Sequence, residues 1–331
     1  MVSIQTVKGR KRLFQYLKHK LEESRNDMNN YYIKKALFSL LTLFIVITLV
    51  FFMLRAIPGG PFTREKPLPD ATRERLEAAY GLDKTKFEQY LVYMGNLLKG
   101  DLGPSFRKPA YSVNELLATG IPATAKVGAL AVVFVVSIGI PLGVISALKA
   151  NSIIDYGGMI IATIGVTVPS FVIGSLFILL AQHVDFIPVG GLDKPVSFVG
   201  PVVALSGYSL AFVTRLTRSS MLEVLRQDYI RTARANGLSE TKVIFKHALK
   251  NSLIPVITYV GPMIAALMTG SFVIERIFNI NGIGRFFTES IGARDYTLVS
   301  GVTIFYAGFY IIMVFLVDIL YSVIDPRIKL T

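Results

Sequence analysis

Charged residues are absent from six long stretches of the chain and concentrated in the segments between them. A transmembrane helix needs about 20 apolar residues to cross about 30 Å of hydrocarbon, and each stretch meets this length. Because lipid offers the backbone no hydrogen-bond partner, each span must be helical. The pattern predicts an all-α polytopic membrane protein with six transmembrane helices, and so many apolar runs in 331 residues disfavour a soluble protein with buried helices. The predicted spans are 36–54, 127–148, 156–182, 196–214, 251–274 and 296–317.

The distribution of basic residues predicts which side of the membrane each segment faces. With a cytoplasmic N-terminus, the inside segments contain 20 Lys and Arg residues, against four in the short outside segments. Short cytoplasmic loops carry the excess of Lys and Arg, so both termini are predicted to be cytoplasmic. The inside segments are 1–35, 149–155, 215–250 and 318–331, and the short outside ones are 183–195 and 275–295.

Two segments outside the predicted spans are long enough to have structure of their own. Residues 55–120 are predicted to be extracytoplasmic, with short amphipathic helices at 71–80 and 86–98 and a glycine- and proline-rich turn at 100–104. Residues 1–35 are predicted to form a basic cytoplasmic extension that contacts anionic lipid headgroups.

Composition excludes several classes of function. The chain has no Cys and only three His, so we predict no disulfide framework, no thiol nucleophile and no metal site. The sequence contains no G-x-x-x-x-G-K-[S/T] loop, so we predict no nucleotide site and no cofactor in this chain. The net charge of +13 is interleaved with apolar spans, which favours contact with the membrane surface over binding of nucleic acid.

Few ionisable residues lie within the predicted spans, and this bears on mechanism. A proton-coupled secondary transporter needs carboxylates or histidines inside the membrane, so the sequence disfavours that class. Arg215, Arg218 and Asp318 lie at the inner ends of the fourth and sixth spans. They are candidates for a charged gate or interface pair, with snorkelling of each side chain to the membrane surface as the alternative.

The basic cytoplasmic loop 215–250 is the most informative segment. Its pattern predicts one helix over 220–235, ended by Gly237, because a glycine commonly follows the end of a helix. Ser239 is placed to cap a second helix that continues into the fifth span. Such an elbow is a rigid projection suited to docking of a soluble partner. The alternative is a loop that only fixes topology and contacts headgroups.

The same loop resembles the cytoplasmic signature of binding-protein-dependent ATP-driven importers: Glu-Ala-Ala, three residues, Gly, nine residues, then Ile-x-Leu-Pro. Gly237 takes the place of the signature glycine, and Arg231-Thr232-Ala233 stands where Glu-Ala-Ala would be. Ala233 and Leu249 match, whereas the acidic residue does not. With this departure, the loop resembles the variant of the signature that is typical of peptide-importer permeases. Other segments that resemble that group are 55–62 (RAIPGGPF), 100–106 (GDLGPSF), 111–114 (YSVN), 168–171 (VPSF), 281–285 (NGIGR) and 325–327 (DPR).

The chain after residue 31 thus resembles the B-type membrane subunit of an oligopeptide ABC importer. The resemblance implies a type-1 ABC importer permease fold in the cytoplasmic membrane, with a five-helix permease domain at 121–320 and a cytoplasmic tail at 321–331. It implies as partners a second homologous permease subunit, two ATP-binding subunits that hold ATP and Mg, an extracytoplasmic peptide-binding protein and the oligopeptide substrate.

The resemblance also implies how transport is driven. ATP-driven closure of the ATPases rocks the spans between inward- and outward-facing states, and the chain itself is not an enzyme. Permeases for dipeptides, nickel or another small solute are the alternatives within the family. The resemblance implies ATPase docking by the elbow, with the small Ala233 packed against the partner. The docking residues are Arg231, Thr232, Ala233, Arg234, Asn236, Gly237 and Leu238.

Overall fold

A computed structural model describes residues 31–58, 60–62, 69–184 and 186–324 of the chain. Within these ranges the regular elements are all helical, and the one extended pairing is an isolated bridge between Pro104 and Ser112. The helices are α1 Tyr31–Ala56, α2 Asp70–Ala79, α3 Lys86–Leu97, α4 Val113–Phe134, α5 Ile140–Leu148, α6 Ile153–Thr167, α7 Ser170–Ala181, α8 Val199–Leu225, α9 Asp228–Ala235, α10 Glu240–Lys242, α11 Leu249–Ser252, α12 Ile254–Met268, α13 Phe272–Ile277, α14 Ile283–Ala293 and α15 Tyr296–Ile324.

The predicted all-α fold with six spans is confirmed for the part of the chain that the structure describes. Five spans are helices long and apolar enough to cross a membrane, and the bent pair α6–α7 forms the sixth. A π-helical turn joins α4 to α5, so the second span is continuous from Val113 to Leu148. Residues 1–30 of the predicted basic extension (1–35) and the 325–327 segment lie outside the described residues, and residues 31–35 form the first turns of α1.

Two spans are much longer as helices than their charge-free stretches. The second begins at Val113 instead of residue 127, because Ser112 and Glu115 form a capping box that starts a helix outside the apolar region. The fourth continues as α8 to Leu225 instead of ending at 214. An apolar stretch marks the part of a helix in hydrocarbon, whereas capping and tertiary contacts decide where the helix begins and ends.

The third span is not the single helix predicted over 156–182. It is broken into α6 and α7, which are bent by 107° at Val168 and Pro169. Proline has no backbone N–H to continue the helix, and it favours extended backbone in the preceding residue. Val168 accordingly has φ −89° and ψ 121°.

Helix α8 is the centre of the bundle and packs against α4, α5, α6, α7 and α12. These helices approach it closely because small residues face it. A Cβ on Gly165 of α6 would collide with the backbone oxygen of Gly207, and one on Gly143 would lie 2.6 Å from the oxygen of Thr214. Small residues at such contacts let backbones pack at the distances that membrane helices favour.

Segments assigned to opposite sides of the membrane gather at opposite ends of the bundle. At one end, an apolar cluster joins α9 and the following π-turn to the ends of α5 and α8 through Ala147, Met221 and Ile230. At the other end, Phe106 and Tyr296 pack in a second cluster beside α2 and the start of α15. The alternation of loops is therefore as predicted, while the cytoplasmic position of the termini stays a prediction.

Two glycines of α6 provide a matched test of this packing. We expect Gly165→Ala to lower the free energy of unfolding by about 1–3 kcal/mol, the usual cost of overpacking. Gly157 has open space where a Cβ would be, so Gly157→Ala should leave stability unchanged or raise it by up to about 1 kcal/mol. Thermal unfolding of both variants in the same detergent measures the difference. Equal midpoints would contradict the assigned α6–α8 contact.

Candidate functional site

The elbow between α9 and α10 is built on Gly237. Gly237 has φ +75°, the left-handed conformation that glycine adopts without strain. Its N–H donates to the carbonyl of Arg234 (2.9 Å), and the N–H of Leu238 donates to the carbonyl of Ala233 (3.3 Å). These two bonds form a Schellman motif, which satisfies the last carbonyls of α9. The predicted role of Gly237 in ending the first helix is confirmed.

The first arm of the elbow differs from its prediction. No single helix runs over 220–235; α8 ends at Leu225, and α9 begins at Asp228 after a turn. Ile230 and Ala233, three residues apart, lie on one face of α9 and are buried against α8 and the π-turn. The expectation that Ala233 packs against a partner is therefore wrong, because its side chain faces the inside of this chain.

The second arm follows the predicted course into the fifth span, but not as a regular α-helix. Ser239 occupies the N-cap position, yet its side chain makes no capping hydrogen bond. A π-helical segment, Val243–Ala248, then leads through α11 to α12. The sequence does not show this segment, because π-turns lack a pattern of their own.

Several predicted docking residues are exposed on the elbow. Arg231, Thr232, Asn236 and Gly237 face solvent, and Leu238 is half-buried in the apolar cluster. Arg231 Nη1 lies 3.5 Å from Asp228 Oδ1.

An ion pair braces the two arms across the turn. Arg234 donates from Nε and Nη2 to the two carboxylate oxygens of Glu240, at 2.7 and 3.3 Å. Such fork-to-fork pairing is geometrically specific, although exposed pairs contribute little to stability. The Arg234 side chain is thus engaged within the elbow.

An aromatic side chain that the sequence analysis missed also projects from the elbow. Phe245 is 66% exposed although it lies in a basic, membrane-adjacent segment. Tyr229 is exposed as well, and its hydroxyl accepts a hydrogen bond from Asn251 Nδ2 at 2.8 Å. The sequence does contain a signal for Phe245, because it is an apolar residue among lysines. Exposed aromatic residues and arginines are enriched at protein interfaces, and Arg231 is exposed on the same elbow.

The three candidate gate charges do not pair with one another within the described residues. Arg218 donates from Nε and Nη2 to the two oxygens of Asp155, each at 2.6 Å, and Arg215 donates to Thr163 Oγ1 at 2.8 Å. Asp318 forms an ion pair with Lys35. In this structure these charges instead join α8 to α6 and α15 to α1, and their role as gate or interface charges stays a prediction.

A buried carboxylate organises the opposite end of the bundle. Glu275 accepts hydrogen bonds from Thr124 Oγ1 (2.8 Å) and from the N–H of Arg285 (3.1 Å). Thr124 Oγ1 in turn accepts from the N–H of Ile283 at 3.0 Å. Thr124 and Glu275 thus join α4 and α13 to the first turn of α14, where the unpaired N–H groups of the helix favour a negative charge.

The glycines of the 281–285 segment are explained by that carboxylate. A Cβ on Gly282 would collide with Glu275, and one on Gly284 would lie 2.9 Å from Glu275 Oε2 and 2.6 Å from the backbone of Phe272. The sequence analysis noted the segment but missed Glu275. The signal was a single acidic residue directly after an apolar span.

A second buried carboxylate, Asp295, fixes the 100–106 turn onto α15. Asp295 accepts hydrogen bonds from the N–H groups of Phe106 (3.1 Å), Arg107 (3.2 Å) and Leu298 (3.2 Å). The same carboxylate therefore caps α15 and closes the turn. Burial, and to a smaller extent the charge of Asp295, raises the pKa of the neighbouring Tyr80.

Comparison with known proteins places this arrangement in a family. Residues 139–330 match the family described as binding-protein-dependent transport system inner membrane component. The chain belongs to this family. Its localisation as a multi-pass protein of the cell membrane follows, and the resemblance found in the sequence is confirmed.

Relatives match over nearly the whole chain. A dipeptide transport system permease protein (DppB) of Bacillus subtilis is 45% identical over 304 residues, covering 92% of this chain and 99% of the relative. An oligopeptide transport system permease protein (OppB) of Salmonella typhimurium is 43% identical over 305 residues, covering 91% of this chain and 100% of the relative.

The fold is also similar to that of a solved transporter chain. A chain of the inward-facing MetNI methionine ABC transporter aligns with a TM-score of 0.51 and 18% identity. The alignment covers 63% of this chain and 96% of that chain. The architecture is thus the predicted type-1 ABC importer permease fold.

The buried Glu275 provides a test of how this end of the bundle is held. We expect Glu275→Ala to lower the free energy of unfolding by about 1–3 kcal/mol, because Thr124 and the N–H of Arg285 lose their acceptor. Glu289→Ala is the control: its exposed pair with Arg285 should be worth no more than about 1 kcal/mol. Denaturation in detergent compares the two variants. A larger loss for Glu289→Ala would show that Glu275 is not the clamp.

Proposed function

We propose that this chain is one of the two pore-forming subunits of an ATP-driven importer of peptides, with oligopeptides as the substrate class. Relatives of nearly equal length that are named as dipeptide or oligopeptide permeases support peptides over nickel or another small solute. The observation that carries the coupling mechanism is the braced elbow, whose two arms continue into the fourth and fifth spans.

The geometry of the elbow suits transmission of force from a soluble partner. The exposed side chains Tyr229, Arg231 and Phe245 form the contact surface, and Gly237 sets the angle between the arms. Behind that surface, the apolar cluster packs α9 and the π-turn on α5 and α8. A displacement of the elbow therefore moves several spans at once, which is what alternating access between inward- and outward-facing states requires.

The proposed complex has three kinds of protein partner. Two ATP-binding subunits hold ATP and Mg and dock on the elbows, so this chain carries no ATPase site of its own. A second homologous permease subunit completes the pathway. An extracytoplasmic binding protein delivers the peptide at the end of the bundle that contains α2, α3 and α14. This assignment places both termini, and the elbow, in the cytoplasm.

The orientation is tested with two single cysteines in a chain that has none of its own. We expect Lys99→Cys to react with a membrane-impermeant maleimide added outside intact cells, because Lys99 is exposed at the proposed outer end. Lys242→Cys, exposed on the elbow, should react only after the cells are opened. Labelling of Lys242→Cys in intact cells would reverse the assignment.

Coupling is tested at Gly237 with two substitutions of similar size. A β-branched residue at φ +75° is strained by at least about 1–2 kcal/mol, whereas Asn tolerates the left-handed region. We expect Gly237→Val to reduce peptide-stimulated ATP hydrolysis of the reconstituted complex at least tenfold, with membrane insertion intact. Gly237→Asn should retain most of the stimulation.

A surface variant separates docking from backbone geometry in the same assay. Phe245→Ala removes an exposed apolar contact without altering the turn, so it should weaken co-purification of the ATPase subunits. Full assembly, stimulation and uptake in both Gly237→Val and Phe245→Ala would show that the loop only anchors topology.

A further inference from the structure

Helix α3 lies against the outer half of the first span. Its Tyr90 ring is 5.3 Å from the rings of both Phe51 and Phe52, and its Tyr93 ring is 5.4 Å from Phe51. The hydroxyls of Tyr90 and Thr48 are 2.8 Å apart. Three aromatic contacts and a hydrogen bond thus fix one face of α3 on α1.

The position of Thr48 shows how deep this contact lies. Lys35 and Arg55 are the charged residues at the two ends of the apolar part of α1. They are twenty positions apart, so the helix rises about 30 Å from one to the other, which is the thickness of the hydrocarbon. Thr48 lies seven residues before Arg55, about 10 Å inside that boundary. The side chains of α3 therefore reach below the outer membrane surface.

The remaining surface of α3 is divided into a polar flank and an apolar flank. Gln89, Val92 and Asn96 line a cavity of about 130 Å³ together with Arg55 and Asp101. The apolar flank carries Phe87, Leu91 and Leu98, which are 62%, 55% and 84% exposed. At about 3.6 residues per turn, these three residues share one side of the helix, nearly opposite Gln89 and Asn96.

We propose that α3 is an interfacial helix seated in the outer leaflet, with Phe87, Leu91 and Leu98 among the lipid acyl chains. The apolar flank continues onto the exposed surface of α1, because Tyr90 packs on Phe52, which is itself partly exposed. A helix with one apolar face and charged residues at its ends is the form that lies in a membrane interface.

The lysines around α3 agree with lipid as the occupant, and the acidic Asp83, Glu88 and Asp101 beside them are also exposed. Lys84 and Lys86 precede or begin the helix and Lys99 follows it, and all three are exposed. Lysine side chains at such positions extend to the headgroup phosphates while their methylene groups stay in the apolar layer. A lipid surface therefore satisfies both the apolar flank and the basic ends of α3.

Two neighbouring residues provide a matched experiment, because they are equally exposed on different flanks. Leu91 is 55% and Val92 53% exposed. Each is replaced by cysteine in the Cys-free chain, labelled with a nitroxide, and assembled with the partner subunits in lipid nanodiscs. Collision with oxygen, which concentrates in hydrocarbon, is compared with collision with a water-soluble nickel chelate.

We expect the Leu91→Cys label to collide several-fold more with oxygen than with the nickel chelate, and the Val92→Cys label to show the opposite preference. Leu98→Cys is the second apolar-flank position and should behave like Leu91→Cys. A Leu91→Cys label that prefers the nickel chelate would place the flank in water, ready for a soluble protein. A label reached by neither reagent would place it under another subunit. Either result overturns the proposal.

Discussion

The buried carboxylate of Glu275 is the contact on which one end of the bundle depends. A carboxylate removed from water is tolerated only when its oxygens are hydrogen-bonded, and here Thr124 and the start of α14 supply the donors. Because the carboxylate fills the space beside Gly282 and Gly284, the turn before α14 has little freedom. The same turn holds a neighbouring loop, since the carbonyl of Phe278 accepts the N–H of Gly191 at 2.8 Å.

The elbow and the end that contains Glu275 are held by different kinds of contact. Buried carboxylates, Glu275 and Asp295, each bind several donors from distant segments, so any movement there breaks more than one hydrogen bond. At the elbow, a compact apolar cluster sits beneath exposed ion pairs such as Arg234 with Glu240. Apolar contacts are non-directional. The elbow can therefore shift as a unit with a smaller loss of stabilising free energy than a shift of the clamped end would cause.

The sequence predicts the number and type of the spans because exclusion of charge from hydrocarbon is a one-dimensional signal. It also predicts Gly237, because a left-handed residue after a helix has few alternatives. It does not predict that Arg218 pairs with Asp155, since each charge selects its partner only after α6 and α8 have packed. The inward position of Ala233 could be predicted from the sequence, because Ile230 precedes it by three residues and lies on the same face of α9. A position in the family signature does not show which face of α9 a residue lies on, whereas helical spacing does.

In the proposed cycle the two arms of the elbow are not equivalent. The first arm joins α8, an uninterrupted helix of 27 residues at the centre of the bundle, through a short turn. The second arm contains the π-helical segment Val243–Ala248, and irregular turns of this kind are common at functional sites. Displacement of the elbow should therefore reach the spans mainly through α8. The ion pair between Arg218 and Asp155 carries it on to α6, and the 107° bend at Pro169 separates α6 from α7. The broken third span thus lets α6 follow α8 by a different amount from α7, which packs on α13 at the clamped end as well as on α8.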